Sequence, residues 1–377
     1  MRVVERPSLK AMNSFGVAAS AALLLVIESE EDVLALPPFD PGRDFVLGGG
    51  SNVVLATDVP GAVYHNAILG REVVEDGPDY GLLEAGAGEN WHDLVRWTLE
   101  HGYSGLENLS LIPGLAGAAP LQNIGAYGVE LASVLERVTA WDWQRCTWAS
   151  FSREDCRLGY RDSLFKTGAP DRYLITSIRL RLHRVFEPRL DYAGLREELS
   201  VAGIAHPTAL DVSDAVMRIR RRKLPDPAVT GNAGSFFKNP VVDAARAEVL
   251  LALHPGLPAW PAGPGRTKLS AAWMVEQCGL KGLSHGDAAV SRQHALVLVN
   301  RGAATGGDII RLSRQVQSVV ASAFGVALEP GDRTGMGLDL GRPDRFVGLL
   351  CTGLAGVKIV PTPSNGAWET RLRRPLR

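Results

Sequence analysis

The chain has 377 residues, enough for two domains, and its 46% hydrophobic and 21% charged content is ordinary for a globular protein. Lysine plus arginine total 40 and aspartate plus glutamate total 41, which gives a formal net charge of −1. This balance provides no electrostatic case for nucleic acid or an anionic membrane, and we expect neither as a partner.

The cysteines form neither a C-x-x-C pair nor a Cys/His cluster with zinc spacing. The four are Cys146, Cys156, Cys278 and Cys351. We expect free thiols in a reducing cytoplasm, and no metal site.

The first apolar run, residues 17–26, is too short to span a bilayer. It predicts a buried strand or short helix rather than a secretory signal, because acidic residues and no convincing cleavage site follow. Further strands are predicted at 45–47, 53–55, 81–85 and 174–182. A helix is predicted from about Asn90 to His101, because Asn90 can cap its start and Gly102 can end it.

The second half begins with a proline-bearing, basic segment near 205–230 that predicts a domain junction. For its run of cations we expect a solvated helix face. These cations are Arg218, Arg220, Arg221, Arg222 and Lys223. Helices are predicted at 244–253, 271–278 and 309–324, and a buried strand at 295–300. Residues 331–377 show no clear amphipathic pattern.

Two glycine-rich stretches are candidates for ligand binding. The first is Gly48, Gly49, Gly50, Ser51 and Asn52, where backbone N–H groups could approach a phosphate closely. It is neither a P-loop nor a dinucleotide-binding fingerprint, and alone it is more typical of a surface turn. The second, residues 105–128, is too rich in Gly, Ala and Pro for a packed helix and too apolar for disorder, which favours backbone folded around a large flat ligand.

Together these stretches resemble the flavin-binding domain of the vanillyl-alcohol-oxidase type. Three further segments narrow the resemblance: Tyr160-Arg161-Asp162-Ser163-Leu164-Phe165-Lys166, residues 223–227 (KLPDP) and residues 231–240 (GNAGSFFKNP). With the opening Asn13-Ser14-Phe15-Gly16, they occur in the order found in the UDP-N-acetylenolpyruvoylglucosamine reductase family. The resemblance covers residues from about 8 to 330.

The resemblance implies an α+β fold, with a two-subdomain FAD-binding module and an α+β C-terminal domain for the substrate. We expect the subdomains at 1–70 and 71–205, the UDP-sugar domain at 206–330 and an atypical tail at 331–377. A monomer is expected. The family's reaction uses FAD and NADPH: NADPH gives a hydride to FAD, the flavin passes a hydride to C3 of the enolpyruvyl group, and C2 is protonated.

The resemblance also assigns residues. Cofactor contacts are expected from the first glycine stretch (Gly48, Gly49, Gly50, Ser51, Asn52) and from Ser110, Ile112, Pro113, Gly114, Gly117, Asn123, Gly125, Ala126 and Gly128. Substrate contacts are expected from Tyr192, Lys223, Asn239 and His294.

Three residues are expected at the reaction itself. Arg161 matches the family's arginine that offsets the negative charge developing on C2 and the adjoining carboxylate. A guanidinium group suits this role because it is permanently charged and can grip a carboxylate with two N–H donors. From its own tetrapeptide alone, a salt bridge to Asp162 would be the preferred interpretation. Ser235 matches the proton donor to C2, a role in which position matters more than resting acidity. Tyr160 resembles a residue that lines the same site.

The pattern breaks where the family has a third catalytic residue, a glutamate in Leu-Glu-Pro-Glu-Val-Arg. This chain reads Leu328-Glu329-Pro330-Gly331-Asp332-Arg333, so Gly331 holds the glutamate's place. Glu329 shares a face with position 331 in an extended segment but lies about 7 Å away along it, which makes a simple replacement strained. We hypothesise an altered reading frame or sequence near residue 331, which an intact frame confirmed by peptide mass would refute.

Two alternatives stay open. Another flavin oxidase of the same superfamily would explain the glycine stretches, but not Ser235 in its motif or the segment at Lys223. A catalytically impaired binder of flavin or UDP-sugar is favoured only by Gly331.

Overall fold

The computed structural model describes residues 1–192 and 194–330, together with the backbone of residues 358–359. The predictions that concern Gly331, Asp332, Arg333 and Cys351 therefore lie outside the described residues. The helices are α1 (Glu30–Leu34), α2 (Trp91–Glu100), α3 (Leu195–Val201), α4 (Ala209–Lys223), α5 (Ala244–Leu253), α6 (Ala271–Gln277) and α7 (Gly306–Phe324).

The strands are short, and most of them pair antiparallel. They are β1 (Arg2–Glu5), β2 (Ala21–Ile27), β3 (Phe45–Leu47), β4 (Val53–Val54), β5 (Val59–Asn66), β6 (Arg71–Asp76), β7 (Tyr80–Gly86), β8 (Gly125–Ala126), β9 (Val129–Glu130), β10 (Leu135–Asp142), β11 (Thr147–Ser152), β12 (Tyr173–His183), β13 (Gly231–Ser235), β14 (Val241–Asp243), β15 (Ala259–Pro261), β16 (Arg266–Leu269), β17 (Ser284–His285), β18 (Ala288–Val290), β19 (Val297–Asn300) and β20 (Lys358–Ile359).

Four larger sheets organise these strands. The first, in the order β1-β2-β5-β3, pairs β5 in parallel with β2 and β3. The second is an antiparallel sheet in the order β11-β10-β12-β7-β6. The third and fourth are antiparallel sheets in the orders β13-β19-β18-β17 and β14-β16-β15. Helices packed with mainly antiparallel sheets confirm the expected α+β class.

The hydrophobic core joins the two ends of the described chain. One continuous cluster includes Phe15 and Val63 near the N-terminus together with Phe236, Leu298 and Val320. A second cluster lies within the β6–β12 sheet and helix α2. The first sheet and the third and fourth sheets therefore share buried apolar surface, while the domain bounds expected from the sequence stay a prediction.

Most local predictions are confirmed. The run at 17–26 contributes to strand β2, Asn90 caps α2 by accepting from the N–H groups of His92 and Asp93, and Gly102 follows the helix with a φ of 77°. The predicted strands near 45, 53, 81, 174 and 295 are present, as are helices α5, α6 and α7.

One prediction needs correcting. The segment at 205–230 contains helix α4, which begins with a capping box formed by Thr208 and Asp211. Arg218 and Arg222 form ion pairs with Glu198, as expected of a solvated face, but Arg220 is only 6% exposed. The expectation of a wholly solvated cationic face is therefore wrong at Arg220.

Candidate active site

A cavity of about 540 Å³ lies between the two glycine-rich stretches. Its volume is in the range of pockets that hold cofactors. Eight of the predicted cofactor residues line it: Gly48, Gly49, Gly50, Ser51, Asn52, Ile112, Pro113 and Gly114. Two stretches separated by about sixty residues of sequence thus form opposite walls of one cavity.

The close approach of these walls depends on glycine. A Cβ at Gly49 would lie 3.0 Å from the Cα of Gly114, closer than ordinary van der Waals contact. Gly50 has a φ of 59°, and a side chain there would collide with the carbonyl of Met12. Backbone therefore lines this part of the cavity, as a phosphate or an aromatic ring system requires.

Two buried polar groups face the cavity without a protein partner. Among the described residues, neither the Oε1 atom of Gln122 nor the Nε atom of Arg220 has a hydrogen-bond partner. Burial lowers the pKa of the Arg220 guanidinium, which nevertheless stays charged because arginine is not deprotonated in proteins. Orphaned buried groups are costly, so Arg220 fits a negatively charged or acceptor group of a ligand, and the Gln122 oxygen fits a group that donates a hydrogen bond. Neither residue was predicted from the sequence to contact a ligand.

The beginning of helix α2 supports the second wall. Leu111 has a φ of 58°, a strained value for a branched residue, and its N–H donates to the Nδ1 atom of His92 at 3.0 Å. His92 also lines the cavity. A neutral imidazole is needed for this bond, because a protonated ring has no acceptor. Burial lowers the pKa of His92, and the nearby Arg96, Arg221 and Arg220 lower it further against the opposing effect of Asp93.

We expect this hydrogen bond to make the free energy of unfolding depend on pH. Because the native pKa of His92 lies below the ordinary value of 6.5, the unfolded chain takes up the proton first, so stability falls as the pH drops below that value. The His92→Asn variant keeps an acceptor oxygen and cannot titrate. Its loss of unfolding free energy between about pH 7.5 and about pH 5.5 should be smaller by at most about 1.4 kcal/mol, because this range extends about one unit below the ordinary pKa. Urea unfolding at both pH values measures this, and equal losses in the two proteins would refute it.

Arg161 is held in one orientation by backbone. Its Nη2 atom donates to the carbonyl of Gly125 at 2.7 Å and its Nη1 atom to that of Asn123 at 3.4 Å. Its own carbonyl accepts from the buried Lys166, which stabilises a φ of 57°. Ile124, between the two accepting residues, lines the cavity. The alternative salt bridge is wrong, because Asp162 accepts instead from Ser163 and Thr167.

Ser235 ends strand β13 directly after Gly234, which lines the cavity. Its side chain is half-buried and forms no hydrogen bond with the described residues, so the hydroxyl is available to a ligand. Two residues later Phe237 bridges to Pro330, and the N–H of Lys238 donates to the carbonyl of Glu329 at 2.9 Å. The described chain thus ends beside the strand that carries Ser235.

Tyr160 contacts the fourth sheet. The Nζ atom of Lys268 in β16 lies 4.8 Å from the centre of the Tyr160 ring and 5.9 Å from that of Trp260 in β15. Tyr160 and Trp260 remain 47% and 43% exposed. A cation between two partly exposed aromatic rings, one of which belongs to the residue before Arg161, suits an anionic ligand. No sequence motif had indicated Lys268 or Trp260.

Three of the four predicted substrate residues are neighbours. The Tyr192 ring packs on Tyr127 at 4.8 Å between centres, and the Nζ atom of Lys223 lies 6.0 Å from the Tyr192 ring. Burial lowers the pKa of His294, with Lys223 adding to the effect. Asn239 is less available to a substrate, because its Oδ1 atom already accepts a hydrogen bond from the N–H of Ala271 at 3.0 Å.

The other predicted cofactor residues lie behind the cavity wall. Ser110 is buried and its hydroxyl bonds to that of Ser213 at 2.8 Å, while Gly117 packs against Ala87. Asn123 donates to Glu130. Gly125 and Ala126 form β8, and Gly128 lies in the turn to β9. Their contact with a cofactor stays a prediction.

Comparison with known proteins is consistent with this geometry. A sequence model described as an FAD binding domain matches residues 41–144, and one described as the C-terminal domain of UDP-N-acetylenolpyruvoylglucosamine reductase matches residues 226–333. The UDP-N-acetylenolpyruvoylglucosamine reductase of Pseudomonas aeruginosa is 51% identical over 333 residues, which cover 88% of this chain and 98% of that protein. The chain belongs to the UDP-N-acetylenolpyruvoylglucosamine reductase family.

Other members of this reductase family agree. The Dechloromonas aromatica reductase is 48% identical, over 85% of this chain and 96% of its own length. The crystal structure of the Thermus caldophilus reductase matches with a TM-score of 0.62 at 28% identity, over 88% of this chain and 98% of that one. The expected family and its flavin-binding fold are confirmed, and the oxidase alternative is not favoured.

Cys146, Cys156 and Cys278 are free thiols. No group of three or more His, Cys, Asp or Glu side chains in residues 1–192 and 194–330 could hold a metal ion. Within the same residues, no helix is both long and apolar enough to cross a membrane.

Proposed function

We propose that the chain catalyses the NADPH-dependent, FAD-mediated reduction of UDP-N-acetylenolpyruvoylglucosamine to UDP-N-acetylmuramate, a precursor of peptidoglycan. The observation that carries the proposal is the cavity between the two glycine stretches, with Ser235 directly after Gly234 of its wall and Arg161 bonded to the carbonyls on both sides of Ile124, another wall residue. It is supported by relatives of this name that are about half identical over nearly their whole length.

FAD would be held by the backbone of residues 48–52 and 111–115, with Gln122 and Arg220 supplying polar contacts. The Oε1 and Nε atoms of these two side chains, which lack protein partners among the described residues, fit this cofactor. When bound, FAD supplies the hydride chemistry between NADPH and C3 of the enolpyruvyl group, and the protein supplies position, charge and a proton.

Arg161 would face the substrate's carboxylate. Hydride addition at C3 leaves negative charge on C2 and the carboxylate, so a fixed cation lowers the barrier. The backbone bonds to Gly125 and Asn123 orient the guanidinium in advance, which avoids reorganisation during the reaction. The N–H groups of the guanidinium that do not bond to these carbonyls would remain available to the substrate.

Ser235 would deliver the proton to C2. Serine is a weak acid, so this role requires a hydroxyl placed beside a strongly basic carbon. The half-buried Ser235 hydroxyl, which has no bonding partner among the described residues, is suited to it. Tyr160 would line the same part of the site.

The UDP diphosphate would meet two groups of residues that carry cations. One group would be Lys223 with Tyr192 and His294, and the other Lys268 with Tyr160 and Trp260. Asn239 could donate only through Nδ2, because its oxygen is engaged. We propose that residues 1–70 and 71–205 hold the flavin and 206–330 the UDP-sugar, in a monomeric cytoplasmic enzyme.

Anaerobic stopped-flow absorbance tests the function. NADPH should bleach the yellow protein, and enolpyruvyl-UDP-N-acetylglucosamine should then restore the oxidised spectrum. Bleaching without restoration would indicate an impaired binder. Rapid reoxidation by air with a simple sugar, and none with the nucleotide, would indicate an oxidase.

The Gly331→Glu variant tests the departure from the family pattern. Position 331 follows Pro330, which bridges to Phe237 two residues beyond Ser235. A carboxyl group that assists protonation is worth about 10²–10⁴-fold, so we expect the second half-reaction to accelerate by at least about tenfold. The same stopped-flow trace measures this rate, with Gly331→Gln as the matched control that lacks the acid. An equal rate in all three proteins would show that a carboxyl group at 331 is not needed.

A further inference from the structure

Helices α2 and α4 are joined by a partly buried polar cluster. The Nη1 atom of Arg96 in α2 donates to the Ser213 hydroxyl at 3.0 Å and pairs with Asp214 at 2.7 Å. The fully buried Ser213 hydroxyl also bonds to that of Ser110 at 2.8 Å. We call Arg96, Ser110 and Ser213 the Ser213 clasp. It fixes α4 both to α2 and to the loop that forms one cavity wall.

The clasp lies on the side of α4 that carries Arg220, next to the apolar face with which α4 packs into a hydrophobic cluster of its own. Arg220 follows Ser213 by about two helical turns, so the two side chains lie on the same face of the helix. His92 precedes Arg96 by about one turn of α2, and the charges of Arg220 and Arg221 act on His92. The clasp thus lies at one end of this helix pair, and Arg220, which lines the cavity, lies at the other.

Arg220 is the side chain on α4 whose position most needs to be fixed. It is 6% exposed, and its Nε atom has no partner among the described residues. A buried N–H donor without an acceptor is unfavourable, so contacts elsewhere on α4 have to keep this side chain in place. The exposed neighbour Arg222 shows that the same helix offers solvated positions for cations.

We propose that Arg96 and Ser213 are positioning residues for Arg220, and that through them α4 presents a fixed positive charge to the flavin. This inference rests on the proposed function, because it requires FAD in the cavity. A cation near the flavin stabilises its reduced, more negative form, so the clasp influences the reduction potential as well as affinity.

A double-mutant cycle tests the coupling. Apoprotein of the wild type and of the variants Arg96→Met, Ser213→Ala, Arg220→Met and Arg96→Met/Arg220→Met is titrated with FAD, and the midpoint potential of each reconstituted protein is measured. Arg220→Met should weaken FAD binding about tenfold, as expected for loss of a charged hydrogen bond, and lower the potential. Arg96→Met should weaken binding by roughly threefold to tenfold alone and by less than about twofold when Arg220 is already replaced.

The matched control is Arg153→Met, which removes an exposed arginine paired only with Glu154 and should leave both quantities unchanged. Equal effects of Arg96→Met with and without Arg220 would overturn the inference, since the clasp would then stabilise only the fold. If Arg96→Met does not fold, Ser213→Ala takes its place in the cycle. No effect of Arg220→Met would also overturn the inference while leaving the proposed function intact, whereas failure of the wild type to bind FAD would overturn both.

Discussion

Replacement of Ser235 by alanine should leave reduction of the flavin by NADPH nearly unchanged and slow reoxidation by the enolpyruvyl substrate by about 10²–10⁴-fold. The variant loses the proton donor to C2 but none of the backbone that lines the cavity. Ser235 ends strand β13, and its hydroxyl bonds to no described residue, so its removal leaves no buried partner unsatisfied. Stopped-flow absorbance resolves the two half-reactions.

A serine remote from the cavity provides the control. Ser322 in α7 bonds only to the carbonyl of Ser318 and is exposed, so Ser322→Ala should change neither half-reaction. If Ser235→Ala slowed both halves equally, a general loss of cofactor binding would explain it, and the role of Ser235 as proton donor would be excluded.

Replacement of Arg161 by alanine should slow the same half-reaction by about 10²–10³-fold, or about 2.7–4 kcal/mol of barrier. Burial lowers the pKa of Arg161, yet arginine remains charged at neutral pH, so its charge is available throughout the working range. Arg161→Lys retains the charge without the planar fork and should recover only part of the loss.

The two Arg161 variants also separate the effect of the charge on the reaction from the effect of the side chain's hydrogen bonds on stability. Unfolding free energies measured in parallel show how much the lost bonds to Gly125 and Asn123 contribute to the fold. Full recovery in Arg161→Lys would mean that charge alone matters. Equal slowing of flavin reduction and reoxidation would argue against any specific role at the substrate's carboxylate.

Local signals in the sequence predicted most of the elements. The cap at Asn90, the stop at Gly102 and the apolar spacing of α7 depend on neighbouring residues, so they are visible without the fold. The glycine stretches could also be recognised in the sequence. Glycine is needed where the backbone turns with a positive φ against other backbone, as it does at Gly50.

The position of Arg220 could not be read in the same way. It lies among four other cations within six residues, a pattern that is usually solvated. The packing of α4 against α2 and the loop of Ser110 is what buries one of the five, Arg220, at the cavity wall. Helical periodicity shows which residues share a face, but not which face the rest of the protein covers.

The order of motifs along the chain alone determined the family, the flavin chemistry and the candidates Arg161 and Ser235, because those motifs are contiguous in sequence. The tertiary structure alone decided that Lys268 lies between Tyr160 and Trp260, and that Arg220 faces the cavity. These arrangements join segments far apart in the chain. They arise because the sheets and helices bury their apolar faces together, and that packing is a property of the whole fold.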